Sequence, residues 1–263
     1  MTAYLIALRA IVQRESLRFV HQRGRFLSAL VRPLVWLLVF AVGFRSALGL
    51  SIIPPYETYI TYETYIVPGL CAMVQLFNGM QSSLSLVYDR EMGSMRLLLT
   101  SPLPRWWLLT SKLLAGTAVS LLQVYAFLAI AAIAGISVPW QGYLLVLPAL
   151  ILTGMMLGAV GLALSSTIRQ LENFAGVMNF VIFPAFFLSS ALYPLWKMAE
   201  SSQLLYQICA VNPFTHAVET IRFALYGQID VAAVGWTALA LGLFLLLALW
   251  GYDPARGLIT RRG

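Results

Sequence analysis

The stretch richest in chemical groups lies between two apolar runs and reads Asp89, Arg90, Glu91, Met92, Gly93, Ser94, Met95, Arg96, Leu97, Leu98, Leu99. Gly93 can end an incoming helix and Ser94 can cap a new one. Met95 to Leu99 then supply a short amphipathic turn, which Pro102 and Pro104 stop. The pattern predicts a short helix across one membrane face, followed by Trp106 and Trp107 at headgroup level; the plainer alternative is an ordinary loop. A second group is polar but uncharged. Gln75, Asn78, Ser82 and Ser85 recur at steps of three and four, so one helical face carries them all. Gln123 and Asn179 are single amides in other apolar runs, each costly to bury without a partner or water. These six residues are either a shared polar path for a substrate or hydrogen-bonding glue between helices.

Other reactive residues do not assemble into a centre. Cys71 and Cys209 have neither metal-ligand nor redox spacing. His21 and His216 fall on opposite predicted sides of the membrane, so no metal site is expected. Glu57 and Glu63 repeat within a tandem near-duplicate, residues 56–61 and 62–66, with no companion nucleophile. No Gly-rich loop ending in Gly-Lys-Ser/Thr occurs, so the chain lacks the nest and lysine that hold ATP phosphates. It is not expected to be an enzyme or to bind a cofactor. No row of mid-span carboxylates is present to relay protons, as an ion-driven transporter would usually show, so energy must come from elsewhere.

The elements that position these groups follow from composition. Of 263 residues, 60% are hydrophobic and 10% charged, and the mean hydropathy is +0.82. That leaves too little polar surface for a water-soluble body. The predicted class is an all-α integral membrane protein with six transmembrane helices at 26–48, 65–87, 107–136, 142–166, 173–193 and 231–250. Residues 1–25 form an N-terminal interfacial helix by the alternation of Ile6, Ile11, Leu17 and Phe19 with Arg9, Arg14, Arg18 and Arg23; a solvated basic tail is the alternative. Residues 88–106 form the loop with the short helix, 194–230 an outer re-entrant hairpin, and 251–263 a tail. Among the 17 Lys and Arg residues, only Arg45, Lys197 and Arg222 fall on the outer side, which places both termini in the cytoplasm. The net charge of +7 therefore reflects topology and anionic lipid rather than nucleic acid. Arg45 suits snorkelling to headgroups, with attraction of an anionic substrate as the alternative. Gly154, Gly158 and Gly161 suit close helix packing.

The run from Asp89 to Ser94 and on through Leu99 to Pro104 resembles the inner loop of ABC-2 transporter permeases. Three further pieces agree in order: Tyr65-Ile66-Val67-Pro68-Gly69-Leu70, the stretch from Phe183-Pro184 to Pro194, and Asn212-Pro213 through Arg222. The resemblance implies a homodimer in the bacterial inner (cytoplasmic) membrane that meets two cytoplasmic ABC ATPase subunits, which carry ATP and Mg. Asp89 to Leu99 would then be the coupling helix, and the N-terminal helix would help cradle the ATPase. The outer hairpin, with Phe183, Pro184, Phe187, Tyr193, Pro194, Asn212 and Pro213, would gate the exit. Family substrates include drugs, lipids, lipid-linked glycans and polysaccharides. Arg96 stands where many relatives carry an acid, Ser190 where many carry Gly, and the tandem duplication is unusual. The chain also resembles, without a motif that fixes it, the subgroup associated with quinoprotein alcohol-oxidation systems. A rival to an exporter is a membrane anchor or assembly factor for a periplasmic oxidase.

Overall fold

In hydrocarbon a backbone can satisfy its N–H and C=O groups only within a helix or a closed barrel, and the apolar runs of this chain take the first course. The computed structural model describes residues 2–21, 31–39, 54–58, 60–92, 103–136, 138–168 and 170–252. Among them are α1 (Thr2–His21), α2 (31–39), α3 (Tyr62–Glu91), α4 (Arg105–Ile133), α5 (Gly142–Thr167), α6 (Leu171–Phe187), α7 (Leu195–Ser201), α8 (Gln203–Val211), α9 (Pro213–Leu225) and α10 (Val231–Gly251), with no strand. The expected run 26–48 is described only over 31–39. Residues 93–99 of the expected coupling helix and 253–263 of the tail lie outside the described residues.

Three described helices, α4, α5 and α10, are long and apolar enough to cross a membrane, and α6 is a shorter apolar helix of 17 residues. The polar residues of α3 keep it out of that group, although its 30 residues would reach about 45 Å at 1.5 Å each. It is instead the interior rod of the bundle, because residues 65–77 are buried on every side. Its start is instructive. In the tandem duplicate the second copy, residues 62–66, is the first turn of α3 after an extended Thr61, while the described residues of the first copy, behind Pro54 and Pro55, are not helical.

The apolar run at 173–193 is helical only to Phe187, where the Leu188 N–H closes on the Pro184 carbonyl at 2.9 Å. The hairpin region 194–230 resolves into α7, α8 and α9, of 7, 9 and 13 residues, each too short to cross about 30 Å of hydrocarbon. Their starts are chemically marked. Pro194 precedes α7, the Ser202 hydroxyl caps α8, and Asn212 caps α9 ahead of Pro213. Gly135 and Gly227, at φ 89° and 70°, end α4 and α9 with the left-handed residue that lets the Ile136 and Gln228 N–H groups reach back to the Ala131 and Phe223 carbonyls.

Helix α5 is the hub, packed on α3, α10, α9 and α4. Its crossing with α3 is backbone on backbone. A Cβ on Gly79 would lie 2.8 Å from the Gly158 Cα, and one on Gly161 would lie 2.9 Å from the Gly79 carbonyl. Small residues permit this approach where lipid offers no hydrophobic drive between helices. Gly154 instead faces side chains, where a Cβ would lie 2.9 Å from Thr117 Cγ2 of α4 and 3.0 Å from Gln75 Nε2 of α3. On α10, Trp236, Leu239, Leu243, Leu246, Leu247 and Trp250 are exposed, a helical stripe suited to lipid.

Candidate functional site

The motifs that lie far apart in sequence meet at one end of the bundle, around Arg222. Asn212 and Pro213 start α9 and so aim Arg222, two and a half turns on, back at α3. The guanidinium is buried. Its Nη1 donates to the Tyr65 hydroxyl at 2.9 Å and to Glu219 Oε1 at 3.0 Å, and its Nη2 donates to the Ser190 carbonyl at 2.9 Å. It also sits 4.0 Å over the Tyr65 ring, a cation–π contact. Burial works against this charge. The Glu219 carboxylate, with Tyr65 and Tyr56, more than offsets it, so the Arg222 pKa rises above that of a free guanidinium.

What Arg222 holds is the unwound chain after α6. The Tyr65 hydroxyl donates to Ser190 O at 2.9 Å and the Tyr62 hydroxyl to Leu192 O at 3.0 Å. Asn212 Nδ2 donates to Ala185 O at 2.8 Å and Leu188 O at 2.6 Å. Four carbonyls, that of Ala185 in the last turn of α6 and those of Leu188, Ser190 and Leu192 in the chain beyond it, are thus taken by donors from α3, α9 and the Asn212 turn. A Cβ on Gly69 would come within 2.6 Å of Ala191, so the Tyr65–Leu70 motif also needs glycine for this approach. Phe186 packs between Trp36 and Phe214, at centroid distances of 6.5 and 6.1 Å, whereas Phe183 and Phe187 stack at 6.4 Å on the exposed side. Tyr193 is half-buried and Pro194 buried. Nearby, Tyr56 meets Tyr226 edge-on at 4.8 Å and Gln228 Nε2 reaches Pro55 O at 3.3 Å. Burial pushes the Tyr226 hydroxyl up to about 12.

The polar stripe of α3 faces α4 and α5. Gln75 Nε2 donates to Leu150 O at 2.7 Å, and Thr153 donates to Gln75 Oε1 at 2.7 Å. Asn78 donates to Gly116 O at 2.7 Å, Ser85 to Ser82 O at 2.7 Å, and Lys112 Nζ to Ser85 Oγ at 2.9 Å. The void in this seam is about 10 Å³, room for about one water. Gln123 is buried on α4, and its Oε1 has no hydrogen-bond partner among the described residues. Asn179 is not in this group: it lies exposed on α6 beside the exposed Phe180.

At the opposite end, Arg90 and Glu91 belong to the last turn of α3 rather than to a separate helix. Arg90 Nη1 approaches Ile168 O at 3.4 Å and its guanidinium lies 5.1 Å over the Tyr252 ring. Tyr252 pairs with Ser165 at 2.9 Å. Glu91 Oε1 accepts the Leu171 N–H at 2.9 Å, which places a carboxylate on the positive end of α6. Met92 is the C-cap of α3, and Asp89 is buried just before it. Among the described residues no cluster of His, Cys, Asp and Glu could hold a metal.

Arg222, Tyr62, Tyr65 and Lys112 escaped the sequence reading as site residues. Arg222 counted there as a charge on the outer side and as the end of one family-like stretch, and the signal that marks it is an acid, Glu219, three residues before it on the same helix.

The family described as ABC-2 type transporter matches residues 6–226. A Porphyra purpurea protein named as transport permease ycf38 is 29% identical over 252 residues, which cover 92% of this chain and 84% of its own length. An Escherichia coli K12 protein named as multidrug ABC transporter permease YbhR is 32% identical over 169 residues, 63% of this chain and 45% of its own. Nodulation protein J of Rhizobium leguminosarum bv. viciae is 23% identical over 246 residues, 90% of this chain and 86% of its own. The family match spans both the Arg90 end and the Arg222 end, and this chain belongs to the ABC-2 type transporter family as a transmembrane transport permease.

Proposed function

We propose that this permease is the membrane half of an ATP-driven exporter, with α6 as the rod that carries motion from a partner ATPase to an exit gate. The supporting observation is that both ends of α6 are held by side chains of other elements. Glu91 binds its first N–H, while Tyr65, Arg222 and Asn212 hold the chain beyond its last turn. A helix of 17 residues spans about 25 Å, so a shift at one end is delivered to the other.

In this reading six spans cross the bacterial inner membrane with both termini cytoplasmic, the Arg90 end faces two cytoplasmic ABC ATPases carrying ATP and Mg, and the Arg222 end faces outward. Residues 89–99 receive the ATPase, α1 cradles it, and residues 183–194 with α7–α9 form the gate. Two copies associate. The packed seam around Gln75, Asn78, Ser82, Ser85 and Gln123 acts as glue, and the substrate path runs along the exposed α6 face at Asn179, Phe180 and Phe183, where an amide in lipid requires a partner. The multidrug name of one relative favours an amphiphilic substrate, a drug, lipid or lipid-linked glycan.

The test is deletion of residues 90–99 in the complex reconstituted with its ATPase. Substrate-stimulated ATP hydrolysis should disappear while basal hydrolysis by the ATPase persists; undiminished stimulation would overturn the reading.

A further inference from the structure

On another flank of α9, helices α5, α9 and α10 leave a groove of about 380 Å³. Leu145, Pro148, Ala149 and Leu152 form one wall, with Ala224 and Val234 opposite. The α5 residues recur at helical spacing, so the wall runs along the helix axis for about 10 Å. Charge is confined to one end, and Thr220, the polar residue farther along α9, gives its hydroxyl hydrogen to the His216 carbonyl at 2.8 Å. Asp230 is the only charged residue of the lining, and it stands at the start of α10 beside Gln228. Asp230 Oδ1 accepts both the Ala232 and Ala233 N–H groups, at 3.0 and 3.1 Å, which leaves Oδ2 to a ligand.

The surroundings identify the solvent of this groove. Both α5 and α10 are long and apolar enough to cross a membrane, and Leu144, Ile229 and Val231 beside the mouth are 71%, 77% and 78% exposed. The groove therefore opens on the bilayer-facing surface. A helix from a second copy, about 10–12 Å across with its side chains, would occupy roughly 800 Å³ over about 10 Å of its axis, about twice the 380 Å³ of the groove, which suits a single hydrocarbon chain instead. The polarity gradient matches one amphiphile in one orientation, with the chain against α5 and the headgroup at Asp230. A lone carboxylate at the mouth attracts an ammonium and repels a headgroup whose net charge is negative.

We propose that this groove is a binding site for one acyl chain of a bilayer lipid whose headgroup carries an ammonium group, seated on Asp230. It rests on the chain spanning a membrane and is independent of the export reading, so a failure of ATP-coupled transport would leave it standing.

The test is native mass spectrometry of the purified full-length chain titrated with dioleoyl phosphatidylethanolamine or dioleoyl phosphatidylglycerol. Wild type should retain the ethanolamine lipid several-fold better. Asp230→Asn keeps a capping oxygen and should bring the two lipids level, and Ala224→Leu should lower retention of both. Photo-crosslinking of wild type with a phosphatidylethanolamine carrying a diazirine in its acyl chain gives a readout that needs no variant, with adducts expected in residues 145–152 and 224–234. Equal retention of the two lipids by wild type, a preference that survives Asp230→Asn, or adducts confined to other helices would overturn the proposal.

Discussion

Arg222 donates to the main-chain carbonyl of Ser190, 32 residues earlier in the chain, at 2.9 Å. This one bond joins α9 to the irregular segment after α6, and the same guanidinium also bonds Tyr65 of α3 and Glu219. Removing one partner of a buried ion pair leaves the other uncompensated, at about 3–5 kcal/mol, so Arg222→Ala should lower thermal stability strongly. Arg222→Lys keeps the charge but not the planar fork that reaches three acceptors. It should fall between the two in thermal denaturation of the detergent-purified protein, and a lysine variant as stable as wild type would show that the fork geometry is irrelevant.

Tight and open glycines should separate cleanly. A Cβ on Gly79 meets Gly158 backbone at 2.8 Å, where nothing flexible can yield, and overpacking of that kind costs about 1–3 kcal/mol. Gly235 on α10 has nothing within 4 Å of a built Cβ. Gly79→Ala should therefore destabilise, whereas Gly235→Ala should be neutral or gain up to about 1 kcal/mol of helix propensity. Melting temperatures of the two variants, measured side by side, check the contrast.

The parts of this architecture that sequence revealed are those decided locally. Run length and hydropathy marked α4, α5 and α10 because each helix satisfies its own backbone and needs no partner to exist in lipid. The glycine trio on α5 marked its packing face, although Gly79, the surface it meets, was not evident. The clamp on residues 188–192 was not legible, because its donors Tyr62, Tyr65, Asn212 and Arg222 come from three places and aim at main-chain atoms, which carry no sequence signal. The tandem duplicate shows the same limit. Near-identical residues are helical in one copy and not in the other, since the second runs into the buried apolar stretch of α3 and the first follows two prolines. The six amides and hydroxyls expected to share one role were separated only by three-dimensional placement, five near the α3–α4–α5 seam and Asn179 alone on the exposed face of α6.

If the seam is glue, its members should be coupled in stability. Gln75 bridges Leu150 O and Thr153; Gln75→Leu leaves the Thr153 hydroxyl its Ala149 carbonyl at 2.8 Å and loses the bridge, whereas Thr153→Val strands Gln75 Oε1 at about 1–3 kcal/mol. The double variant replaces both partners with apolar groups and should recover part of the summed loss, giving a non-additive cycle. Additive losses in chemical denaturation would remove the case for a paired interaction.

His216 stacks on Trp236 with centroids 5.6 Å apart and planes 17° from parallel. Burial lowers its pKa below the ordinary 6.5, against smaller opposite pulls from the Ala210 backbone, Asp230 and Glu219. The folded state thus disfavours the imidazolium. Its contribution is fully present above about pH 6.5 and is lost as pH falls through the lowered folded value. Melting temperature should drop on acidification from pH 7 toward 5 less steeply in His216→Phe, which keeps the stack and cannot titrate, than in wild type. Parallel pH profiles would exclude His216 as the source.

Glu91 offers the most direct probe of the rod. Its carboxylate both accepts the Leu171 N–H and places negative charge on the positive end of α6. Glu91→Gln keeps an acceptor oxygen and loses the charge; Glu91→Ala loses both. In the reconstituted complex with saturating ATPase, the alanine variant should lower substrate-stimulated ATP hydrolysis several-fold, with glutamine between it and wild type. Saturation separates a link through α6 from docking alone: if Glu91 merely touched the ATPase, excess ATPase would restore stimulation fully, and the rod would have to be abandoned.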